Sequence, residues 1–271
     1  MEKASQVRLV DSHAHLTYDE LRNDLDSVLA RARAVGVEQV ITIGTHPPDW
    51  ERVIELISSH RGLFAALGVH PHHAGRVSNA DLSTLATLMK RPGVVAFGEM
   101  GLDYHYDFSD RLSQQRVFDA QLLLARERDL PVIIHSREAV ADTVAALDEH
   151  GFAGRSVVFH CFTGTRDEAA LIAAHGWRIS FTGVVTFKKS TELQAIAAEY
   201  PPDQLMLETD APYLSPEPVR NVRPNEPAHL RHTAEFMSQL RRVELAGLAD
   251  QTTANARRYF ALSQETISCG R

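Results

Sequence analysis

The chain has 271 residues, 44% of them hydrophobic and 23% charged, which is typical of a soluble globular protein. Its formal net charge of −7 argues against bulk attraction to nucleic acid, so a polyanionic substrate would have to be held locally by cations. No apolar run approaches the roughly 18 residues of a membrane span, and segment 1–8 lacks the apolar core of a signal peptide. The two cysteines, Cys161 and Cys269, suggest no disulfide framework. We therefore expect a cytoplasmic protein without a membrane partner.

Eight short apolar runs recur along the chain, and helical patterns lie between them. The runs are 8–10, 39–43, 63–69, 94–97, 132–134, 157–159, 178–181 and 205–207. Several are continuous Val, Ile and Leu without alternation, which is typical of parallel strands buried on both faces.

The helical patterns alternate with these runs. They cover 18–35, 111–128, 142–150, 166–175 and 191–200, and two further helices are expected within 226–260. Ser109 and Thr165 are the expected N-caps of two of these helices. Glycines 36, 151 and 176 follow helix ends, where a left-handed residue is favoured.

Eight strands alternating with helices over about 250 residues indicate a (β/α)8 barrel. We expect one α/β domain, a TIM barrel that spans residues 1–271. A doubly wound open sheet is the alternative architecture. In such a barrel the active site lies at the carboxyl ends of the strands.

Titratable residues follow six of the eight runs. They are Asp11, His13 and His15 after the first; His70, His72 and His73 after the third; Glu99 and Asp103 after the fourth; and His135, His160, Glu208 and Asp210 after the fifth, sixth and eighth. Histidine and carboxylate are ligands of zinc and similar divalent ions. On an extended strand residues i and i+2 share a face, so His13 and His15 can bind one ion together. The occurrence of so many histidines and carboxylates at corresponding strand ends predicts a metal site.

Glu99 stands out within this set because glycines bracket it in the segment 98–103 (GEMGLD). Glycine permits close approach of neighbouring backbone, and a carboxylate has two oxygens with which to bridge two metals. His135 and His160 each end an apolar run, and Asp210 lies in the segment 208–212 (ETDAP).

The chain resembles the TatD-type deoxyribonucleases of the metal-dependent hydrolase superfamily, from about residue 10 to residue 260. The resemblance is carried by segments 10–16 (VDSHAHL), 68–71 (GVHP), 98–103 (GEMGLD), 131–137 (PVIIHSR), 160–164 (HCFTG) and 208–212 (ETDAP). Segment 253–256 (TANA) with Phe260 resembles the family's closing helix. Thr17 and Met100 depart from the residues usual in the family, and neither is a proposed ligand.

The resemblance implies a site for two divalent cations, which would be zinc, manganese or magnesium. One ion would be held by His13, His15, Glu99 and Asp210. The other would be held by Glu99, His135 and His160. Asp11 and Glu208 would support these ligands from behind, with Asp11 orienting an imidazole.

The implied chemistry is phosphodiester hydrolysis, in which Asp210 and Glu99 would be catalytic and Asp210 the general base. Arg137 is the expected phosphate-binding cation, because guanidinium binds phosphate in a bidentate way. His70 and His72 would donate to the phosphate or to the leaving group. Further cations that could follow a nucleic-acid backbone are Arg220, Arg223, Lys188 and Lys189, and the possible base-stacking residues are Tyr104, Tyr106 and Phe187.

The expected function is a 3′-5′ exonuclease on single-stranded DNA or another nucleic acid, with a monomer slightly favoured. Two alternatives stay open. The same metal site could hydrolyse D-aminoacyl-tRNA or another ester or amide, or the chain could be a metal-bound binding protein with little turnover. The intact ligand set argues against the last of these.

Overall fold

The computed structural model describes residues 7–267. Its strands are Leu9–Ala14 (β1), Val37–Gly44 (β2), Leu63–Leu67 (β3), Val94–Asp103 (β4), Val132–Arg137 (β5), Val157–Phe159 (β6), Arg178–Phe181 (β7) and Leu205–Leu207 (β8). All eight predicted runs are therefore strands, and the largest difference is in β4, which continues past its apolar part through Glu99 to Asp103.

The strands form one sheet in the order β1 to β8, and each neighbouring pair is parallel. The last strand region returns to the first, because Ala14 bridges Ala211 and the His15 amide donates to the Ala211 carbonyl at 2.7 Å. The Asp210 amide donates to the His13 carbonyl at 2.9 Å. The predicted (β/α)8 barrel is confirmed, and the open-sheet alternative is wrong.

Ten α-helices lie within the described residues and cover the outside and the lower end of the barrel. They are Asp19–Arg22 (α1), Leu25–Ala34 (α2), Pro47–Ser59 (α3), Asn79–Leu88 (α4), Arg111–Arg128 (α5), Val140–Glu149 (α6), Arg166–Ala174 (α7), Thr191–Glu199 (α8), Leu230–Arg241 (α9) and Leu245–Phe260 (α10). Segment 18–35 is two helices, with a break at Asn23 and Asp24. Between residues 7 and 267, no helix combines the length and apolarity that crossing a membrane requires.

The predicted helix ends are confirmed except one. Thr165 caps α7 in a reciprocal box with Glu168, and Gly36, Gly151 and Gly176 adopt φ of 95°, 72° and 72°. The prediction that Ser109 caps α5 is wrong. Asp110 accepts from the Ser113 amide at 2.9 Å, while the Ser109 hydroxyl donates to the His72 carbonyl at 3.0 Å.

The interior of the barrel holds an apolar cluster contributed by several strands. Its strand residues are Val10, Ile41, Ile43, Phe64, Ala66, Ala96, Ile133, Val158 and Met206. Helix α10 closes the lower end with Tyr259 and Phe260, and the Tyr259 hydroxyl donates to the Val132 carbonyl at 2.7 Å. A second cluster packs the helices against the outside of the sheet. The carboxyl ends of the strands are left to polar side chains.

Candidate metal centre

His13 and His15 leave the end of β1 with both Nε2 atoms facing the same point. These two atoms are 3.3 Å apart, and the two side chains are almost fully buried. The His160 ring stacks on His13 with a centroid separation of 4.0 Å. The Nδ1 atoms of all three rings are buried without a hydrogen-bond partner. The nitrogens that converge are the Nε2 atoms of His13 and His15, and two buried imidazole nitrogens directed at one point are costly unless a cation binds between them.

Glu99 reaches this cluster because glycines bring β4 against β5. Gly98 and Gly101 have φ of 141° and 143°, a conformation that side chains with a Cβ rarely adopt. A Cβ at Gly101 would lie 2.0 Å from the His135 carbonyl oxygen, and one at Gly98 would lie 2.6 Å from that of Ile133. The two glycines therefore permit the approach that places Glu99 beside His135.

The two oxygens of Glu99 face different sets of nitrogens. Oε1 lies 2.7 Å from His160 Nε2 and 2.9 Å from His135 Nδ1. Oε2 lies 3.5 Å from His13 Nε2 and 3.9 Å from His15 Nε2. One carboxylate therefore joins two groups of donors.

Asp210 completes the group on the Oε2 side. Its Oδ1 lies 3.3 Å from His15 Nε2 and 3.8 Å from His13 Nε2. Asp210 has a left-handed backbone, with φ of 54°, which is strained for a residue other than glycine. Among the described residues, four sets of ligand atoms are close enough together to hold an ion. They are His13, His15 and Glu99; His13, His160 and Asp210; Glu99, His135 and His160; and, toward the rim, His70, His72 and His135.

The carboxylates of the centre carry negative charge in spite of their burial. Burial alone would raise the pKa of Glu99, but its histidine neighbours, His160 foremost, hold that pKa well below the ordinary range. Burial likewise opposes ionisation of Asp210, and the hydrogen bond with His15 lowers the pKa of that carboxyl overall. Buried anions beside the Nε2 atoms of His13, His15 and His160 form a donor set that fits divalent cations.

Asp103 ties two of the histidines together. Its Oδ2 lies 2.9 Å from His135 Nε2 and 2.9 Å from His72 Nε2. When His135 donates its Nε2 proton to Asp103, its Nδ1 presents a lone pair toward Glu99. Sequence reasoning placed Asp103 at the rim without a role, although its position at the end of the GEMGLD segment was a signal.

Glu208 and Asp11 support the centre in different ways. Glu208 Oε1 accepts from the Cys161 amide at 2.6 Å and lies 3.4 Å from His160 Nδ1, so it lies behind that ring. Asp11 accepts from the Thr209 amide at 2.9 Å and the Thr209 hydroxyl at 2.6 Å. Its third contact is the main-chain amide of His13, at 3.3 Å, rather than an imidazole. Asp11 therefore connects β1 to the loop after β8, and burial raises its pKa to about 7.

A cavity of about 520 Å³ opens above the centre, and the three predicted phosphate-binding residues, Arg137, His70 and His72, line it. His70 Nδ1 accepts from the His72 amide at 3.1 Å, so a neutral His70 carries its proton on Nε2. Burial lowers the pKa of His70 to about 3, which keeps the ring neutral. His70 Nε2 lies 3.3 Å from Glu99 Oε1, so this N–H points into the centre.

The predicted stacking residues are distributed differently. Tyr106 lines the cavity, and the Arg137 guanidinium lies 4.9 Å from its ring centre. Tyr104 lies against Arg111 and donates to Asp142, and the Phe187 ring is covered by Arg220 at 3.9 Å.

A larger cavity, of about 700 Å³, lies at the opposite end of the barrel. Its lining includes Arg61, Phe64, Arg91 and Glu265. The lining also includes His60, which pairs with Asp26, whereas Glu265 pairs with Arg61, and no set of metal-ligand atoms is found here among the described residues. Size alone therefore does not identify the functional site.

Comparisons with known proteins agree with this geometry. The family model described as TatD related DNase matches residues 10–261. The "Uncharacterized metal-dependent hydrolase YabD" of Bacillus subtilis is 39% identical over 94% of this chain and 100% of its own length. The "3'-5' ssDNA/RNA exonuclease TatD" of Erwinia tasmaniensis is 38% identical over 94% of this chain and 100% of its own length. The crystal structure of YJJV, a TatD homologue from Escherichia coli, superposes with a TM-score of 0.89 at 30% identity, covering 95% of this chain and 99% of that one. The chain belongs to the TatD family and is a metal-dependent hydrolase.

Proposed function

We propose that this hydrolase cleaves phosphodiester bonds and removes nucleotides from the 3′ end of single-stranded DNA, with two divalent cations joined by Glu99. The observation that carries the proposal is the placement of the Glu99 carboxylate. Its two oxygens face separate groups of histidines. A relative that is 38% identical carries the name of a 3′-5′ single-stranded DNA and RNA exonuclease, which supports a nucleic-acid substrate.

The donor groups would divide between two ions. His13, His15, Asp210 and Glu99 would hold one, and Glu99, His135 and His160 the other. Divalent cations bound there would neutralise phosphate charge and make a water molecule more acidic. Because the chain carries a net charge of −7, attraction of a polyanion depends on such local positive charge.

Asp210 has the properties of a general base for the attacking water. Its carboxylate is ionised, lines the cavity and is only partly covered, with 14% of its side chain exposed. A carboxylate in this position can take the proton as the water attacks phosphorus. Its left-handed backbone is held between the Asp210 amide, bonded to the His13 carbonyl, and the Asp210 carbonyl, bonded to the Tyr213 amide.

Arg137 and His70 would bind and orient the phosphate. Arg137 is exposed at the rim with its guanidinium directed over Tyr106, so it can turn toward an anion without breaking a buried pair. His70 offers an N–H whose tautomer is set by the His72 amide. Both residues donate hydrogen bonds, and neither needs to change protonation during hydrolysis.

The proposal is tested with a single-stranded oligonucleotide labelled at its 5′ end and incubated with Mg²⁺, Mn²⁺ or Zn²⁺. We expect a ladder of products shortened from the 3′ end, and no products when EDTA is present. The cleavage rate should fall by at least about 10²-fold in Asp210→Asn. Asp129→Asn is the matched control, because Asp129 is exposed at the other end of the barrel and pairs with Arg155. DNA left intact with every ion would contradict the proposal. Charged D-aminoacyl-tRNA and simple esters, run in parallel, would then show whether the same centre serves the alternative reaction.

A further inference from the structure

Exposed aromatic side chains occur only at the mouth of the cavity. The chain has 11 Phe, 6 Tyr and 2 Trp, all within the described residues. Four of them are exposed: Tyr18, Tyr106, Phe108 and Tyr213, at 37, 40, 64 and 48%. Three of the four line the cavity, and the fourth, Phe108, lies against His72, which also lines it. Exposed rings have a hydration cost, so their collection at one opening indicates a ligand with apolar faces.

The first pair, Tyr106 and Phe108, lies on the loop after β4. Their ring centres are 5.5 Å apart and tilted by 39°. The loop is held from below, because Asp103 Oδ1 accepts from the amides of His105 and Tyr106 at 3.0 Å each. The pair is therefore presented on an anchored loop, with Arg137 beside it.

The second pair, Tyr18 and Tyr213, comes from the loops after β1 and β8. Their ring centres are 5.8 Å apart with the planes at 80°. The backbone of Tyr213 is held on both sides. Its amide donates to the Asp210 carbonyl, and its carbonyl accepts from the side chain of Asn225, which is fully buried.

Each aromatic pair lies beside a different group of the nitrogens that surround Glu99. The Tyr18 and Tyr213 rings are 5.6 and 6.3 Å from the ring of His15, which belongs to the Oε2 group. Phe108 is 4.7 Å from the ring of His72, and His72 is in turn 6.0 Å from the ring of His135, which belongs to the Oε1 group. A phosphodiester bound at the centre would therefore have an aromatic pair near each of the two groups of donors.

We propose that these pairs are two separate stacking subsites, which hold the unpaired bases on either side of the scissile phosphodiester. The inference rests on the proposed function and adds to it the feature of the substrate that is recognised: two successive bases free of pairing. Stacking tolerates any base, because every base has a π-face. The enzyme would therefore select single-stranded substrates without selecting a particular sequence. In a duplex the penultimate base is stacked on both faces and the terminal base on one, and both are paired, so the end must open before the two bases can enter the pairs.

The test combines protein variants that lack one aromatic pair with oligonucleotides that lack one base. The variants are Tyr106→Ala/Phe108→Ala and Tyr18→Ala/Tyr213→Ala, and the oligonucleotides carry a tetrahydrofuran abasic residue at the last or the penultimate nucleotide. On a complete strand each double variant should lower kcat/KM for the first cleavage by about 10-fold or more. On a strand that lacks the base which a pair contacts, that variant should show little further loss, and the two variants should respond to different positions.

A binding measurement gives a second readout. An oligonucleotide with 2-aminopurine at its 3′ end is titrated with Asp210→Asn protein, in Mg²⁺ and in EDTA. Stacking should quench the fluorescence, and one of the two double variants should abolish the quenching while the other retains it. Leu123→Ala is the control, because Leu123 is 43% exposed on α5 and lies outside the cavity lining.

The outcomes separate the two proposals. A wild-type enzyme that shortens complete strands, together with variants whose loss is equal on complete and abasic strands, contradicts the stacking subsites alone. A wild-type enzyme that leaves every oligonucleotide intact contradicts the proposed function and the subsites with it. Unchanged quenching in both double variants also overturns the subsites, whatever the activity.

Discussion

Along β5, Ile133 lies in the apolar interior of the barrel, whereas His135, two residues later on the same face, lies beside Glu99. β6 repeats this arrangement with Val158 in the interior and His160 at the centre. The lower half of the barrel is thus filled with apolar side chains that stabilise the fold. The upper half of the same strands carries buried carboxylates and imidazoles, which are costly to bury.

Backbone conformation follows this division in part, because three of the seven described non-glycine residues with positive φ, Asp129, Arg242 and Ala261, are ordinary helix C-caps. At the carboxyl ends of the strands or just beyond them, Glu138, Cys161, Asp210 and Leu214 all have positive φ, between 44° and 59°. Strain of this kind persists only where the surrounding structure holds it, and it collects at functional sites. The comparison predicts that changes in the upper half affect catalysis more than stability, and that changes in the lower half do the reverse.

Glu99→Gln should have the largest effect. The side chain keeps its volume but loses the charge that joins the two donor groups, so turnover should fall by at least about 10³-fold. The metal-free protein should lose less than about 2 kcal/mol in its free energy of unfolding, because neutral histidines can hydrogen bond to the amide. Activity assays and urea unfolding in EDTA measure the two quantities. Full turnover in this variant would refute the role given to Glu99.

Phe260→Ala tests the lower half. Phe260 closes the interior cluster from α10 and is 2% exposed, so its loss should lower the free energy of unfolding by about 3–5 kcal/mol. At low temperature, where the variant remains folded, turnover per folded molecule should stay within about twofold of the wild type. Urea unfolding and assays at 10 °C and about neutral pH distinguish the effects. A folded variant that has lost its metal would show that the halves are not independent.

Gly101→Ala should affect both properties, because Gly101 lies where the two halves meet. The added Cβ would lie 2.0 Å from the His135 carbonyl oxygen at a φ of 143°, so β4 and β5 must separate. We expect a loss of about 1–3 kcal/mol in stability together with weaker metal binding. Gly154→Ala is the control, since Gly154 has a φ of 74° but nothing within 4 Å of an added Cβ. Equal metal affinity in the two variants would contradict the explanation.

Arg137→Ala should have the smallest effect. Loss of an exposed guanidinium that binds phosphate should raise KM for DNA by about 10-fold and leave unfolding unchanged. Arg137→Lys should recover part of this loss, since lysine keeps the charge without the planar fork. Arg155→Ala, which removes an arginine paired with Asp129 at the opposite end, should leave KM unchanged. A change confined to kcat would place Arg137 elsewhere in the reaction.

The strands and the residues of the rim could be predicted because parallel buried strands leave a plain apolar pattern. The sequence was less informative where tertiary contacts decide the structure. β4 continues to Asp103 although its second half, around Gly98 and Gly101, has no strand pattern, because pairing with β5 extends it. The position of Asp103 between His72 and His135 depends on the loop after β3, which no local pattern describes.

Two helix boundaries could not be predicted from the sequence. Asn23 and Asp24 interrupt the amphipathic stripe of 18–35 without changing its period, so one helix was expected where two form. The cap of α5 was displaced by one residue, because Ser109 bonds to His72 and Gly75 in a neighbouring loop rather than to its own helix. The Ser109 hydroxyl had two possible sets of partners, and only the folded chain selects one.

The metal content of the purified chain is the most direct test of the claim that Glu99 joins two metal sites. After dialysis against Mn²⁺, bound metal is measured in the wild type, in Glu99→Gln and in the control Asp129→Asn. We predict two ions per chain in the wild type and the control, and fewer than one in Glu99→Gln. Two ions retained by Glu99→Gln, or a single ion in the wild type at saturation, would contradict the claim that this carboxylate joins two metal sites.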